Sequence, residues 1–263
     1  MMVTWLDLLA EFDRWEEAGK VATLWWRDDD AVAPTARLCR LLSIAPALPV
    51  SLAVVPIAAE RGLAEWLDHC PRPPPNAGVA VLQHGWQHLN HVRVGKKSEF
   101  PAERASAEVA IELAAGRERL SALFGTRALP VLVPPWNRFD DSLLRLLAGC
   151  GLTAISRMQP GSAARPISYV NEVNVHVDLV AWRSTRGFVG EETALRGLVE
   201  HLGARRLRTM CAEEPTGILT HHLIQDEATE AFLCRLIAVS TAHPAVRWLD
   251  GAEIFAPALL ASP

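Results

Sequence analysis

Three adjacent carboxylates, Asp28, Asp29 and Asp30, are the most conspicuous chemical feature of the sequence. They come directly after an apolar run, 21–26, that predicts a buried strand, with Arg27 between the run and the acids. Charge runs are usually solvated, so the triplet alone would more often indicate an exposed turn and a helix cap. Several other reactive side chains, however, also lie at the ends of strand-like runs. This recurrence predicts that the acids belong to a functional site.

Two histidines, His84 and His88, follow another strand-like run at 78–82. Imidazoles four positions apart lie on the same face of a helical turn. Together with a carboxylate they would make the open three-ligand site that catalytic metals use. A single pair at this spacing is often incidental, because many histidines cap helices or lie on the surface. The acid triplet at another strand end strengthens the metal interpretation, and His91 could replace either histidine.

A second histidine pair, His221 and His222, closes the short apolar run 218–220. Such a pair can be ordinary surface polarity. A carboxylate and metal set nevertheless needs a general acid to protonate the leaving group, and a histidine at a strand end can supply one. Asp178 lies near the end of an alternating run, 173–180, and is a further candidate for the same site.

The elements that would position these residues alternate between strands and helices along the chain. Strands are expected at 21–26, 49–55, 78–82, 129–133, 152–156, 173–180, 217–220 and 246–249, and helices at 4–19, 34–43, 60–68, 103–123, 140–148, 191–206 and 227–240. This order predicts an α/β fold, a distorted TIM-like barrel of about seven or eight units. An open doubly wound sheet is the alternative. The barrel is favoured because it brings the carboxyl ends of all strands to one mouth.

One domain is expected over residues 1–263, with an N-terminal helix within 1–19 that Thr4 and Asp7 would cap. The proline-rich stretch 71–76 is expected to be a loop, and the polar stretch 92–100 a flap over the site.

The composition narrows the possible partners. Half of the residues are hydrophobic and the net charge is −4, which gives no basic footprint for nucleic acid. No apolar run reaches membrane-spanning length, and the acids near the N-terminus do not fit a signal peptide, so stable membrane insertion is not expected. Five scattered cysteines without paired spacing predict reduced thiols in a cytoplasmic protein.

Taken in order, these motifs resemble those of the polysaccharide deacetylases of the NodB-homology type, carbohydrate esterase family four. The stretch 26–30, Trp-Arg-Asp-Asp-Asp, takes the place of that family's Thr-Phe-Asp-Asp-Gly motif, and His84 to His88 that of its His-x-x-x-His motif. The other three motifs are matched by 133–137 (Val-Pro-Pro-Trp-Asn), 178–182 (Asp-Leu-Val-Ala-Trp) and 219–221 (Leu-Thr-His). Each match is short, and the specificity comes from the common order and the placement at strand ends.

The resemblance implies a role for each matched residue. A divalent metal, with zinc as the expected ion, would be held by Asp29, His84 and His88. Asp28 would be the general base for the attacking water. His221 would protonate the departing amine, with Asp178 orienting or tuning that histidine. The backbone amide near Trp136 would help to stabilise the oxyanion. Substrate contacts are expected from Pro135, Trp136, Trp182 and His222, with the tryptophans forming an apolar wall.

Three positions depart from the family pattern. Asp30 replaces a glycine, Val133 replaces an arginine that would pair with the base, and Ala181 replaces a second acid. Without that arginine the acids need another cation, and we expect Arg138, just past the Pro-Pro turn, to supply it. Arg27 is the weaker candidate, because adjacent residues of a strand point to opposite faces.

The sequence therefore predicts a metal-dependent hydrolase of an amide (N-acetyl) bond, acting on an N-acetylated sugar or glycoconjugate. Two alternatives stay open. The same site could hydrolyse a small non-sugar amide or ureide, or the protein could be a non-catalytic barrel that binds a saccharide. A non-catalytic barrel would be expected to lose metal ligands or proton-transfer groups, whereas this sequence retains the metal ligands and the proton-transfer groups. The register within the acid triplet also stays open, since Asp29 could be the base and Asp30 the ligand.

Overall fold

The computed structural model describes residues 2–69, 78–158 and 170–256, and the nine strands within these ranges belong to one sheet. They are β1 (Ala22–Ala31), β2 (Val50–Val54), β3 (Val79–His84), β4 (Ala128–Val133), β5 (Ala154–Ile155), β6 (Asn171–Glu172), β7 (Val177–Asp178), β8 (Thr216–Thr220) and β9 (Val246–Trp248). Their order is β6-β5-β4-β3-β2-β1-β8-β7, and β9 pairs with the start of β1. All of these pairings are parallel. The loop predicted at 71–76 lies outside the described residues.

Helices connect most of the strands. They are α1 (Trp5–Glu17), α2 (Ala36–Ile44), α3 (Arg61–His69), α4 (Ser106–Phe124), α5 (Leu146–Gly149), α6 (Glu191–Arg206), α7 (Glu227–Thr241) and α8 (Gly251–Ile254). Most predicted elements are confirmed to within a few residues. The helix expected at 140–148 is instead divided into a 3-10 turn, Asp141–Leu143, and α5. Of the strand expected at 173–180, only β7 has regular pairing. No helix in the described ranges is long and apolar enough to cross a membrane.

The start of α1 agrees with the sequence prediction. The backbone N–H and the hydroxyl of Thr4 both donate to the Asp7 carboxylate, at 2.8 and 2.7 Å. The helix then buries Leu8, Phe12 and Trp15 and packs against α6.

The sheet curls into a distorted barrel because its two ends are joined by a short connection. Residues 173–176 lead from β6, at the β5 edge, to β7, at the β8 edge. Within this connection Val175 forms a bridge with Met158, and the His176 N–H donates to the Gly217 carbonyl oxygen at 2.8 Å. The predicted α/β barrel architecture is confirmed.

The central strand β1 alternates between two environments. Trp25 packs with residues of β2, β3 and β4 inside the barrel, whereas Trp26 packs with the surrounding helices. By the same alternation Arg27 and Asp29 face inward and Asp28 faces outward. The expectation that the strand ends before the acids is wrong, since β1 continues through all three of them to Ala31. Because the strand includes the acids, its geometry determines which of their side chains face the interior of the barrel.

Candidate active site

Asp30, His84 and His88 form a compact cluster at the ends of β1 and β3, referred to below as the ligand cluster. One potential ligand atom of each residue lies within 4.8 Å of the others. The Oδ1 atom of Asp30 is 3.1 Å from Nε2 of His84 and 3.4 Å from Nε2 of His88. Three donor atoms from two strand ends therefore converge on one point.

The two histidines are positioned by a backbone turn. His84 is the last residue of β3, and its Nδ1 atom lies 2.9 Å from the carbonyl oxygen of Val133, which leaves Nε2 to face the cluster. Gly85 and His88 both have left-handed backbones, with φ of 62° and 57°. The predicted helical turn is therefore wrong. The left-handed residues reverse the direction of the chain, and the centres of the two imidazole rings lie 5.1 Å apart.

Glu99 anchors this turn from the segment that was predicted to be a flap. Its buried carboxylate accepts hydrogen bonds from the backbone N–H groups of Trp86 at 3.2 Å and Gln87 at 2.8 Å. Burial raises the pKa of Glu99. A Cβ atom at position 85 would lie 1.9 Å from Oε2 of Glu99. Position 85 therefore requires glycine both for space and for its positive φ. The segment 92–100 thus helps to build the site.

Asp30 takes the place in the cluster that the sequence prediction gave to Asp29. Its φ of 72° breaks the alternation of β1 and turns its side chain toward the histidines. Asp29 is not part of the cluster. We therefore revise the ligand set by one residue, to the alternative register that the sequence left open.

Asp29 forms a buried ion pair with Arg27 inside the barrel. The Arg27 Nε donates to Oδ1 at 2.8 Å and Nη2 donates to Oδ2 at 3.0 Å. Residues i and i+2 of a strand share a face, so this two-point contact follows directly from the strand geometry. Nη2 also donates to Oδ1 of Asn137 at 2.6 Å, and Nη1 donates to the carbonyl and hydroxyl oxygens of Ser156 at 3.1 and 2.8 Å. All of the donors of the guanidinium are engaged.

Arg138 does not supply the missing cation, and that prediction is wrong. Its Nη1 donates to the carbonyl oxygen of Lys97 at 2.8 Å, and it makes no ion pair with the acid triplet. Arg27 supplies the cation instead. It pairs with Asp29, which lies on the same face of the strand, and not with Asp28.

Asp28 is fully buried on the outer face of β1, where it cannot meet a substrate. Its Oδ2 accepts from the Thr220 hydroxyl at 2.7 Å and from the His222 backbone N–H at 3.0 Å, while Oδ1 lies 2.5 Å from Nδ1 of His222. Burial acts to lower the pKa of His222, but the charge and hydrogen bond of Asp28 outweigh this effect and raise it. The prediction of Asp28 as general base and that of His222 as a substrate contact are both corrected. The pair instead ties β1 to the end of β8.

His221 lies beside Trp182, whose indole in turn contacts Asp178. The rings of His221 and Trp182 meet edge-on with their centres 4.7 Å apart. The Trp182 indole N–H donates to Oδ2 of Asp178 at 2.7 Å, and the Val180 N–H donates to Oδ1 at 2.9 Å. Burial raises the pKa of Asp178, and the charge of nearby His221 opposes that effect. The Nδ1 atom of His221 is buried and has no partner in the part of the chain that the structure describes.

Trp136 stands on the other side of the ligand cluster. It has a left-handed backbone, φ 56°, and its ring centre is 4.4 Å from that of His88. Pro135 is buried against the turn at Gly85. Trp182, by contrast, is 42 % exposed. Trp136 therefore borders the cluster at His88, whereas Trp182 borders His221 and is open to solvent.

The three residues of the ligand cluster shift one another's pKa values. Burial acts to raise the pKa of Asp30, but the hydrogen bond and charge of His84, with those of His221 and His88, lower it well below its usual range. Burial and the charge of His84 lower the pKa of His88. Burial acts to lower the pKa of His84, but the hydrogen bond with Asp30 and the charges of Asp29 and Asp30 raise it. Metal ligands must be a carboxylate and neutral imidazoles, so the shifts of Asp30 and His88 suit a metal, whereas His84 would have to lose its proton on metal binding.

The donor set also fits a divalent ion of borderline softness. Two imidazole nitrogens and one carboxylate oxygen make a three-ligand site with open positions, the arrangement of catalytic zinc and of related ions. The backbone carbonyl that holds the second nitrogen of His84 is the outer contact that such a ligand normally has.

This architecture is the fold of the polysaccharide deacetylases and of the family 4 carbohydrate esterases. A structure from Mycobacterium smegmatis assigned as a polysaccharide deacetylase is similar with a TM-score of 0.57 and 18% identity, covering 89% of this chain and 88% of that chain. A family 4 acetyl xylan esterase from Clostridium thermocellum, in complex with a cobalt ion, has a TM-score of 0.52 and 14% identity, covering 89% and 90%. The peptidoglycan deacetylase PdaC from Bacillus subtilis, as a mutant, has a TM-score of 0.50 and 12% identity, covering 89% and 90%.

The resemblance expected from the motifs is thus confirmed at the level of the fold. No protein-family model matches the sequence, and no curated protein matches it.

Three contributors to the site, Asn137, Ser156 and Glu99, were not predicted. Asn137 is the residue after Trp136 in the third motif, and Ser156 follows β5, so both had the strand-end signal that marked the other residues. Glu99 had no local signal, since it is one acid in a polar segment. Its contact with the histidine turn depends on the tertiary fold.

Proposed function

We propose that this protein is a metal-dependent hydrolase of a carbon–nitrogen amide bond, and that it removes the acetyl group from an N-acetylated sugar or glycoconjugate. The observation that carries the proposal is the convergence of the ligand cluster, the Arg27–Asp29 pair and His221 at one mouth of the barrel. Amide hydrolysis needs a Lewis acid, a base for the water and an acid for the amine, and this set offers one candidate for each.

The ligand cluster would hold the ion, and zinc is the expected occupant because its ligands are two imidazoles and a carboxylate. When bound, such an ion polarises the acyl carbonyl and makes water a better nucleophile at neutral pH.

Asp29 is the proposed general base and would take a proton from the attacking water at a carboxylate oxygen. Arg27 contacts both oxygens, so it holds the carboxylate in one orientation and balances its charge. A carboxylate oxygen has two lone pairs, and each Asp29 oxygen therefore retains acceptor capacity beside its contact with Arg27.

His221 is the proposed general acid and would give a proton to the departing amine nitrogen. Asp178 and Trp182 act as positioning residues, because Asp178 fixes the indole that packs edge-on against the histidine ring. The apolar surfaces of Trp136 and Trp182 would receive the acetyl methyl or a sugar face.

A barrel that binds a saccharide without catalysis is the competing function. One protein of this fold is a pseudoenzyme of the same esterase family, of which a mutant has restored activity, with a TM-score of 0.51 and 14% identity to this chain. The complete ligand cluster and the intact Arg27–Asp29 pair are the reasons to propose an enzyme here.

A cytoplasmic location is also part of the proposal. Cys150, Cys211 and Cys234 are thiols rather than disulfides, which is usual in a reducing compartment.

The proposal is tested by acetate release from N-acetylglucosamine oligomers, with formate release from a small formamide and ammonia release from a small ureide measured in parallel. We expect release with added zinc or cobalt and its loss on chelation. Asp29→Asn should lower turnover by about two to four orders of magnitude, the usual contribution of a positioned base. Asp68→Asn, at an exposed acid of α3 that pairs with Arg127, is the matched control. Release from none of the N-acetyl sugars, or release that is indifferent to chelation, would contradict the proposal.

A further inference from the structure

A cavity of about 420 Å³ borders the site at Asn137, and the proposed chemistry makes no use of it. Its wall includes Lys96, Ser98, Phe100, Asn137, Arg138 and Arg157. The volume is sufficient for one further substituent or sugar of a larger substrate.

Two neighbouring residues, Asn137 and Trp136, connect the wall of the cavity with the site. Asn137 lines the cavity and also accepts the hydrogen bond from Arg27 at 2.6 Å. Trp136, the preceding residue, packs on His88, and the Nζ atom of Lys97 lies 5.8 Å from the centre of the same indole ring. A group held in the cavity would therefore lie beside Asn137, which contacts the Arg27 guanidinium.

The cations on this side of the mouth lack carboxylate partners. Lys96, Lys97 and Arg138 make no ion pair with any residue in the described ranges. Arg138 is fixed at Nη1 by the Lys97 carbonyl oxygen, and its Nε and Nη2 atoms have no acceptor within those ranges. A guanidinium with free donors of this kind suits the two-point binding of phosphate or carboxylate.

The remaining charged residues of the wall are mostly engaged elsewhere. Arg157 pairs with Asp141 at 2.8 Å and with Glu172 at 2.9 Å. Asp140 caps the following turn by accepting from a backbone N–H and a hydroxyl, and Glu103 is the other acid of the wall, exposed to solvent. Lys96 and Arg138 are thus the wall cations without a carboxylate partner in the described ranges, and Lys97 lies nearby over the Trp136 ring.

We propose that this cavity binds an oxyanion, a phosphate or a carboxylate, carried by the acylated amino sugar, with Arg138 and Lys96 as its main contacts and Lys97 at the rim. The inference rests on the proposed function and adds the substrate class. The substrate would be an anionic N-acyl sugar rather than a neutral polymer such as chitin or acetylated xylan.

Binding is measured by calorimetry with three probes: an N-acetylglucosamine phosphate ester, N-acetylmuramic acid and the neutral methyl N-acetylglucosaminide. We expect one of the two anionic sugars to bind about tenfold to a hundredfold more tightly than the neutral one, the effect of a charge-assisted hydrogen bond. The tighter of the two identifies the anion. The preference should weaken with added salt, because exposed charges are screened.

The double variant Arg138→Met/Lys96→Met should remove the preference, whereas Lys20→Met, at the opposite end of the barrel, should retain it. Equal affinity for all three sugars, or a preference that survives in the double variant, would overturn the inference. Acetate release separates the two proposals. Anion preference in binding without release from any sugar contradicts the proposed function alone, and equal kcat/KM for neutral and anionic sugars contradicts this inference alone.

Discussion

Arg27→Met should cost this protein more stability than any single surface change, because it leaves a carboxylate alone inside the barrel. Arg27 is 0 % exposed and Asp29 is 2 % exposed. The guanidinium makes five hydrogen bonds, two to Asp29, two to Ser156 and one to Asn137. Removing one partner of a buried ion pair typically costs about 3–5 kcal/mol, since the other charge stays buried without compensation.

The assay is urea unfolding followed by circular dichroism, with Arg138→Met as a matched control at an arginine on the surface of the mouth. The control should change the unfolding free energy by less than about 0.5 kcal/mol, as is usual for surface substitutions. Arg27→Lys should be intermediate, because an ammonium retains the charge and loses the two-point contact. An Arg27→Met protein within about 1 kcal/mol of wild type would refute the assignment of a buried, uncompensated carboxylate.

Three further outcomes follow from the structure. Gly85→Ala should weaken zinc binding about tenfold or more, measured by chelator competition, because outer contacts of metal ligands typically affect affinity by that amount and the new methyl would displace Glu99. Asp28→Asn should lower the unfolding free energy by about 1–3 kcal/mol in urea titrations and leave metal content unchanged. Burial, with the charges of His176 and Arg205, lowers the pKa of His201 to about 2. The unfolded chain alone then takes up that proton between pH 6.5 and 2, so stability falls as pH decreases in this window. From pH 6 to pH 5 the wild type should lose about 1 kcal/mol more than His201→Gln in the same titrations.

The fold was largely predictable because its signals are local. Apolar runs and helical periodicity predict the alternation of strands and helices, and Thr4 with Asp7 predicts the start of α1. Parallel strands deliver their carboxyl ends to one side, which is how Asp30 and His84 come together from β1 and β3. The division of 140–148 into a 3-10 turn and a short helix depends on tertiary packing and had no such signal.

The assignments within the site were less predictable, because they depend on where β1 ends. The apolar run stops at Trp26, whereas the strand continues to Ala31 through residues that are charged and buried. Once the strand includes the acids, alternation alone pairs Arg27 with Asp29 and turns Asp28 outward. The left-handed backbone of Asp30 is the one feature that no alternation rule provides.

The central claim is that Asp30 holds the metal while Asp29 acts on the water. Metal stoichiometry by inductively coupled plasma mass spectrometry, on wild type, Asp29→Asn and Asp30→Asn proteins purified from zinc-supplemented medium, tests it most directly. We expect about one zinc per chain in the wild type and in Asp29→Asn, and a small fraction of that in Asp30→Asn, because a three-ligand site that loses its carboxylate retains only two imidazoles. Zinc retained in Asp30→Asn and lost in Asp29→Asn would contradict the account.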